Sequence, residues 1–216
     1  MATYTLQILN ESGFNKSYVF FMTPPVVTTT GASPEIFTNA WVTFNSVGQG
    51  SYDTVTYTDT TYAFWGTTPS QLAPGVILAS GGSALVDTTA QDEVTFIASP
   101  TAFSAPPVPG KAQTGSFAIV ANSDFVAADN YVFGLAQASS TPIPAPVATF
   151  VAEPNDTFNI TPVVTFYVAD GAYTAGEVID YSSVSTTAAQ IDFTGRPETT
   201  ATVTQGTNGL FTIQYS

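Results

Sequence analysis

Period-two alternation runs through the chain almost from its start. Tyr4, Leu6 and Ile8 alternate with Thr3, Thr5 and Gln7, and Val55 and Tyr57 alternate with Thr54, Thr56 and Thr58. Near the end, Ala201 and Val203 alternate with Thr200, Thr202 and Thr204, then Phe211, Ile213 and Tyr215 with Thr212 and Gln214. Such alternation sends one row of side chains to a core and the next to solvent, as in a half-buried strand. Stretches of 3.6-residue period are nearly absent, and Thr, Val, Tyr and Phe dominate over the usual helix formers. Turn chemistry separates the runs: Asn208-Gly209 reads as a tight hairpin, Asp170-Gly171 ends the run 163–169, and Pro74-Gly75 and Gly195-Arg196-Pro197 are further breaks. The spacing predicts an all-β protein, an antiparallel β-sandwich or jelly-roll-like fold of roughly fourteen to sixteen short strands with little or no helix.

The 216 residues suit one β-sandwich unit over 1–216. Two Pro-rich stretches stand out, Pro106-Pro107-Val108-Pro109-Gly110 and Pro142-Ile143-Pro144-Ala145-Pro146. Each reads as a crossover loop between sheets or as a hinge or polyproline ligand. The first leaves open a split into two lobes, 1–105 and 111–216. No internal repeat is evident.

Composition narrows the chemistry. With no histidine and no cysteine, triads, Cys-His nucleophiles, imidazole or thiolate zinc sites and disulfides are all excluded. The net charge is −13, and Lys16, Lys111 and Arg196 are the only cations, so nucleic acid is not an expected partner. No cofactor is expected. No apolar run is long enough for a transmembrane helix. Met1 is followed at once by a strand pattern with no basic or apolar leader, which predicts cytoplasmic synthesis without a signal peptide, or extracellular location after leaderless release.

Paired carboxylates are the remaining catalytic option, and Asp53 with Asp59 or Glu177 with Asp180 are candidate pairs. Asp124, Asp129 and Asn130 have ligand types that suit calcium, and Asp87, Asp92 and Glu93 form a second cluster; both also read as turn formers. Trp41, Tyr62 and Trp65 are the candidate sugar-stacking rings, with core packing as the alternative. The terminal strands carry no charge. Thr3, Thr5 and Gln7, with Phe211, Ile213 and Tyr215, are therefore candidate assembly edges, unless both strands are paired on each side within the monomer.

Several segments carry a likeness to a known family. These are Tyr62-Ala63-Phe64-Trp65-Gly66 followed by Leu72-Ala73-Pro74-Gly75-Val76, and the block from Gly171 through Tyr173-Thr174-Ala175-Gly176-Glu177-Val178-Ile179 to Asp180. Glu153-Pro154-Asn155, Ala189-Gln190-Ile191-Asp192-Phe193, Ala40-Trp41 and the opening Tyr4 to Ser12 fall in matching order. Together they resemble the rhizosphere-expressed RhiA family of rhizobia and related bacterial and fungal proteins. Some members have a cysteine in an early strand where this chain has Val19-Phe20-Phe21, so no thiol role transfers. The resemblance implies a soluble, abundant, non-enzymatic β-protein with no settled activity. The expected function is structural: a non-enzymatic protein that self-associates into a filament or lattice through uncharged strand edges. A carbohydrate-binding, lectin-like module is the alternative, with a glycan as partner, and a membrane-acting β-sandwich toxin is a third reading.

Overall fold

A computed structural model describes residues 3–79, 81–139, 141 and 143–216; Met1 and Pro142 lie outside the described residues. Half of the chain is strand and 3% is helix. In chain order the strands are β1 (Thr3–Asn10), β2 (Lys16–Met22), β3 (Val26–Thr29), β4 (Phe37–Asn39), β5 (Val42–Val47), β6 (Tyr52–Thr58) and β7 (Thr61–Thr67). Then come β8 (Gly81–Val86), β9 (Glu93–Ala98), β10 (Thr101–Phe103), β11 (Phe117–Ala121), β12 (Tyr131–Gln137) and β13 (Ala145–Val151). The last are β14 (Thr157–Thr161), β15 (Phe166–Asp170), β16 (Val178–Ile179), β17 (Ala189–Ile191), β18 (Thr200–Gln205) and β19 (Phe211–Tyr215). A one-turn helix, α1 (Tyr181–Val184), follows β16. The strands beyond the sequence expectation are pieces of two or three residues, β4, β10, β16 and β17, too short to show a period.

The strands form four sheets: β19-β18-β1-β6 (sheet I), β17-β15-β2-β5 (sheet II), β10-β9-β11-β14-β3 (sheet III) and β16-β4-β13-β12-β7-β8 (sheet IV). Pairing is antiparallel except for β1 with β18 and β9 with β11. Ladders such as β7–β12 and β1–β18 join residues on either side of the Pro106–Gly110 segment.

Sheets I and II face each other through the inward rows that the alternation marked. Leu6, Ile8, Val55, Tyr57, Ala201 and Val203 are buried there. Tyr57 meets Phe166 of sheet II edge-on at 4.9 Å, and the Tyr18 hydroxyl donates to Gln205 Oε1 at 2.8 Å. Sheets III and IV close a second aromatic layer, with Phe96 at 4.9 Å from Phe133 and Phe150 at 5.0 Å from Phe158. One continuous apolar cluster draws on all four sheets.

Strand β2 reads as an unbroken apolar run because both its faces are covered. Tyr18, Phe20 and Met22 enter the main core, while Val19 and Phe21 pack with Tyr167, Ala169 and Ile179 under α1. The chain passes from sheet IV to sheet II between β4 and β5, at Ala40-Trp41. Trp41 is buried there, stacked 6.2 Å from Phe166 and edge-on to Tyr57, with its Nε1 donating to the carbonyl of Ala138 at 3.1 Å.

Candidate functional site

The segments behind the family likeness are brought together in space. Thr174 to Glu177 form a turn in which the Glu177 amide donates to the Thr174 carbonyl (2.9 Å) and the Thr174 amide donates to Glu177 Oε2 (2.9 Å). Gly176 stands at the third turn position with φ +84°, a conformation that favours glycine. Its amide donates to the Ala40 carbonyl (2.7 Å), and the Ala40 amide donates to the Glu177 carbonyl (2.8 Å). Buried Asn39 donates to the Gly176 carbonyl and accepts from Thr149. On the other flank of β16, the Gly75 amide donates to the Val178 carbonyl and the Val178 amide donates to the Val76 carbonyl (2.8 Å each), while Leu72 and Phe64 pack with Val178. Asp180, the carboxylate paired with Glu177 in the sequence, follows β16 and caps α1, its carboxylate accepting from the Ser182 hydroxyl and the Ser183 amide, and those bonds hold its carboxyl below the usual range.

The other candidate residues scatter. Trp41 has stacked and edge-on ring neighbours and is 1% exposed, so it offers no face to a sugar ring. Trp65 is half-buried inside the second sandwich against Phe96 (5.6 Å) and Tyr131; a Cβ at Gly82 would come within 2.7 Å of its Nε1, so glycine lets the indole lie across β8. Tyr62 belongs to the opposite face of the same sheet, beside Leu72. The three rings therefore share no surface.

The acidic clusters hold loops. Asp124 Oδ2 accepts from the Ala98 and Ser99 amides at the β9–β10 turn, Asp129 Oδ2 accepts from the Val126 amide, and Asn130 takes a left-handed conformation (φ 56°) at the end of that short turn. Asp87 accepts from the Thr89 and Ala90 amides, and Asp92 accepts from the Asp87 amide. Among the described residues no group of three or more acids gathers to hold a metal ion. Asp53 and Asp59 stand near opposite ends of seven-residue β6, about 20 Å apart at strand rise, too far for a glycosidase pair.

The assembly edge needs correction. Strand β1, with Thr3, Thr5 and Gln7, is an interior strand paired to β6 on one side and β18 on the other. A parallel partner drawn from nearly 200 positions downstream left no local signal for this. Strand β19, with Phe211, Ile213 and Tyr215, ends sheet I, but it runs beside β17, the end strand of the facing sheet. Strands β5 and β6, and β8 and β10, meet in the same way. At these three places end strands of facing sheets thus lie beside one another, which takes the place of the missing lysine gatekeepers there.

Residues that sequence reasoning passed over hold the loops of this fold. Asp156 Oδ1 accepts from the amides of Thr30, Gly31 and Thr157 and from the Thr30 hydroxyl. Asn10 donates to the carbonyls of Phe14 and Val47 and accepts from Ser12. Lys16 pairs with Asp170, which also accepts from Gln205. None belongs to a recognisable short motif; each signal is a single polar residue at or beside a strand end.

Among the described residues, two clefts are well formed. The larger, about 890 Å³, opens where β6, the β8–β9 loop and the β14–β15 connection converge, with Asp59, Leu85, Asp87, Asp92, Pro107 and Val164 on its walls and Tyr57 at its base. Burial, and secondarily Asp59, push the Tyr57 phenol up. The second, about 640 Å³, lies under the loop that Asp156 anchors.

This is a protein of the all-β class, built of four sheets packed in facing pairs around aromatic layers. The RhiA family model matches residues 1–216, the whole chain, and the chain belongs to that family. No curated protein and no solved structure matches it. No helix among the described residues is long and apolar enough to cross a membrane.

Proposed function

We propose that this protein is a non-enzymatic structural protein that self-associates, and that the contact lies on the outer face of sheet I rather than on a strand edge. The observation that supports this is the composition of that face. Register places Thr56, Thr5 and Thr200 in one row, Thr54, Gln7, Thr202 and Gln214 in the next, and Tyr52, Leu9, Thr204 and Thr212 in a third. No outward residue of these four strands is charged, in a chain of net charge −13. Two copies can meet there without bringing like charges together. The non-enzymatic part of the reading is supported by the acids, so many of which accept hydrogen bonds from loop amides.

The face measures roughly 400–500 Å² from strand spacing and rise. A stable specific interface takes about 800 Å² from each partner. The contact is therefore weak, isologous and dependent on concentration, and it strengthens when salt screens the net charge. Sedimentation velocity over a salt series tests it. Dimers should appear as salt rises, and Thr54→Glu/Thr202→Glu should suppress them while circular dichroism stays unchanged. A wild-type chain that stays monomeric and folded from low to molar salt at high concentration overturns the reading.

A further inference from the structure

The larger cleft is walled by two kinds of residue. Leu85 and Val164, 59% and 39% exposed, stand with Pro107 and Pro162 as apolar walls, while Asp59, Asp87 and Asp92 carry charge into the same space. The two loop acids are fixed before anything binds. Asp87 Oδ1 accepts from the Thr89 and Ala90 amides, Asp92 Oδ2 accepts from the Asp87 amide, and the Asp92 amide donates back to the Asp87 carbonyl. The Gln91 carbonyl, between them, accepts from the Lys111 and Ala112 amides, so the loop is also tied from outside. A wall set in advance lowers the ordering cost of binding.

The charge on Asp87 and Asp92 is not met by the chain's own cations. Among the described residues Lys16 pairs with Asp170, Arg196 lies over Tyr215, and Lys111 forms no ion pair with either acid. Nor does any group of three acids gather among the described residues to hold a metal ion, and the apolar walls would give a bare metal few oxygen ligands. The inner wall carries a polar demand of its own. Register sets Gln137 opposite Thr61 and Thr61 opposite Val86, one row on one face of sheet IV, and Thr61 and Val86 line the cleft. Gln137 is fully buried, and neither Nε2 nor Oε1 of its carboxamide has a hydrogen-bond partner among the described residues. A buried carboxamide left unpaired costs stability. The fold therefore keeps, beside Thr61, a donor and an acceptor that its own groups do not satisfy.

We infer that the cleft binds an organic ammonium ion with an apolar body. The head lies among Asp59, Asp87 and Asp92 at the Thr61 wall, where its N–H groups meet carboxylate oxygens and Gln137 Oε1 is the next acceptor inward; the body lies against Leu85 and Val164. The volume, about 890 Å³, suits a small molecule. Ion pairs open to water are weak, and so is the apolar contact of one small ring, so affinity requires charge and body together. The site is independent of the self-association proposed above.

Protein-detected NMR titration of the full chain with phenethylammonium chloride at low salt tests this. The Thr61 and Thr89 amides and the Gln137 carboxamide should shift together and saturate. Phenethyl alcohol, the same body without the charge, should bind about tenfold more weakly. Asp87→Asn/Asp92→Asn keeps oxygens to close the loop but removes the charge, and Leu85→Ser/Val164→Ser strips the apolar walls at exposed positions; each pair should also weaken binding by about tenfold. The dispersion of each variant's spectrum checks folding, and the comparison of the two probes on wild type needs no variant. Wild-type cleft resonances that stay still, shifts that ammonium chloride reproduces at the same ionic strength, equal binding of the two probes, or an affinity unchanged in either folded double variant overturns the site.

Discussion

Single side chains at strand ends hold this molecule's loops. Asp156 gathers three backbone amides and a hydroxyl while itself only 8% exposed. Charge-assisted hydrogen bonds of this type are each worth about 1.5–3 kcal/mol when one partner is lost. Asp156→Ala should therefore lower unfolding free energy by about 2–4 kcal/mol in urea titration, more than loss of an exposed acid such as Glu35. Gly176 makes a backbone prediction. A side chain there has room, with Pro146 Cγ at 3.8 Å as its nearest neighbour, so the cost is conformational. Gly176→Ala should destabilise by about 1–2 kcal/mol through the positive φ alone, and Gly176→Asn by less.

Titration at the residue scale has a sign at both ends of the pH range. Tyr18, buried and near Asp170, has its phenol pushed up to about 12. A raised folded value means its stabilisation is complete below about 10 and is lost as pH climbs from there through 12. Tyr18→Phe should flatten that alkaline loss in denaturation curves. Asp192 goes the other way: bonds from Thr194, with a smaller contribution from Arg196, hold its carboxyl below the usual value. That stabilisation is present above about 4 and disappears as pH falls through the depressed value, so Asp192→Asn should weaken the dependence on acid.

At the scale of elements, neighbouring end strands explain how uncharged sheets avoid free edges. Strand β19 covers β18 through the full Ala201–Gln205 register and lies along β17. Tyr215 stacks edge-on with Phe193 and lies under the Arg196 guanidinium at 4.0 Å. Removing Phe211 to Ser216 should therefore strip a wall from the first sandwich and unfold the chain, read as loss of the cooperative thermal transition. A truncated chain that keeps the wild-type transition would show that β19 is an accessory strand. The interior position of β1 makes a matching point: Thr5 and Gln7 lie half-buried on the outer face, so lysine there should be tolerated by the fold, with Gln7→Lys giving up the bond from Thr202.

For the whole molecule, charge and shape act together. The net charge of −13 separates copies in dilute buffer, and the uncharged face of sheet I is where that barrier is lowest. Acid offers a second lever besides salt. As pH drops towards about 4 the net charge falls before Asp180 and Asp192, held lower, take up protons, so association should strengthen while the fold persists. Light scattering and circular dichroism followed together down a pH series should separate the two events.

The rows of Thr against Leu, Val and Tyr determined by themselves that this chain is all-β and which residues of β1, β6 and β18 face inward. They did so because the two-residue period of a strand is a local property of the chain. The Asn208-Gly209 hairpin was legible for a similar reason: Gly209 takes φ +77°, a backbone that other residues enter at a cost. Which strand lies beside which was decided only by the tertiary structure. The parallel pairing of β1 with β18 joins residues far apart in sequence, and the passage at Ala40-Trp41 and the placing of β19 beside β17 depend on which sheets face each other; no local pattern encodes a partner's address. The same holds for the candidate surfaces. Trp41 looked like a binding ring until its neighbours enclosed it, and the larger cleft exists only because segments distant in the chain converge at one end of β6.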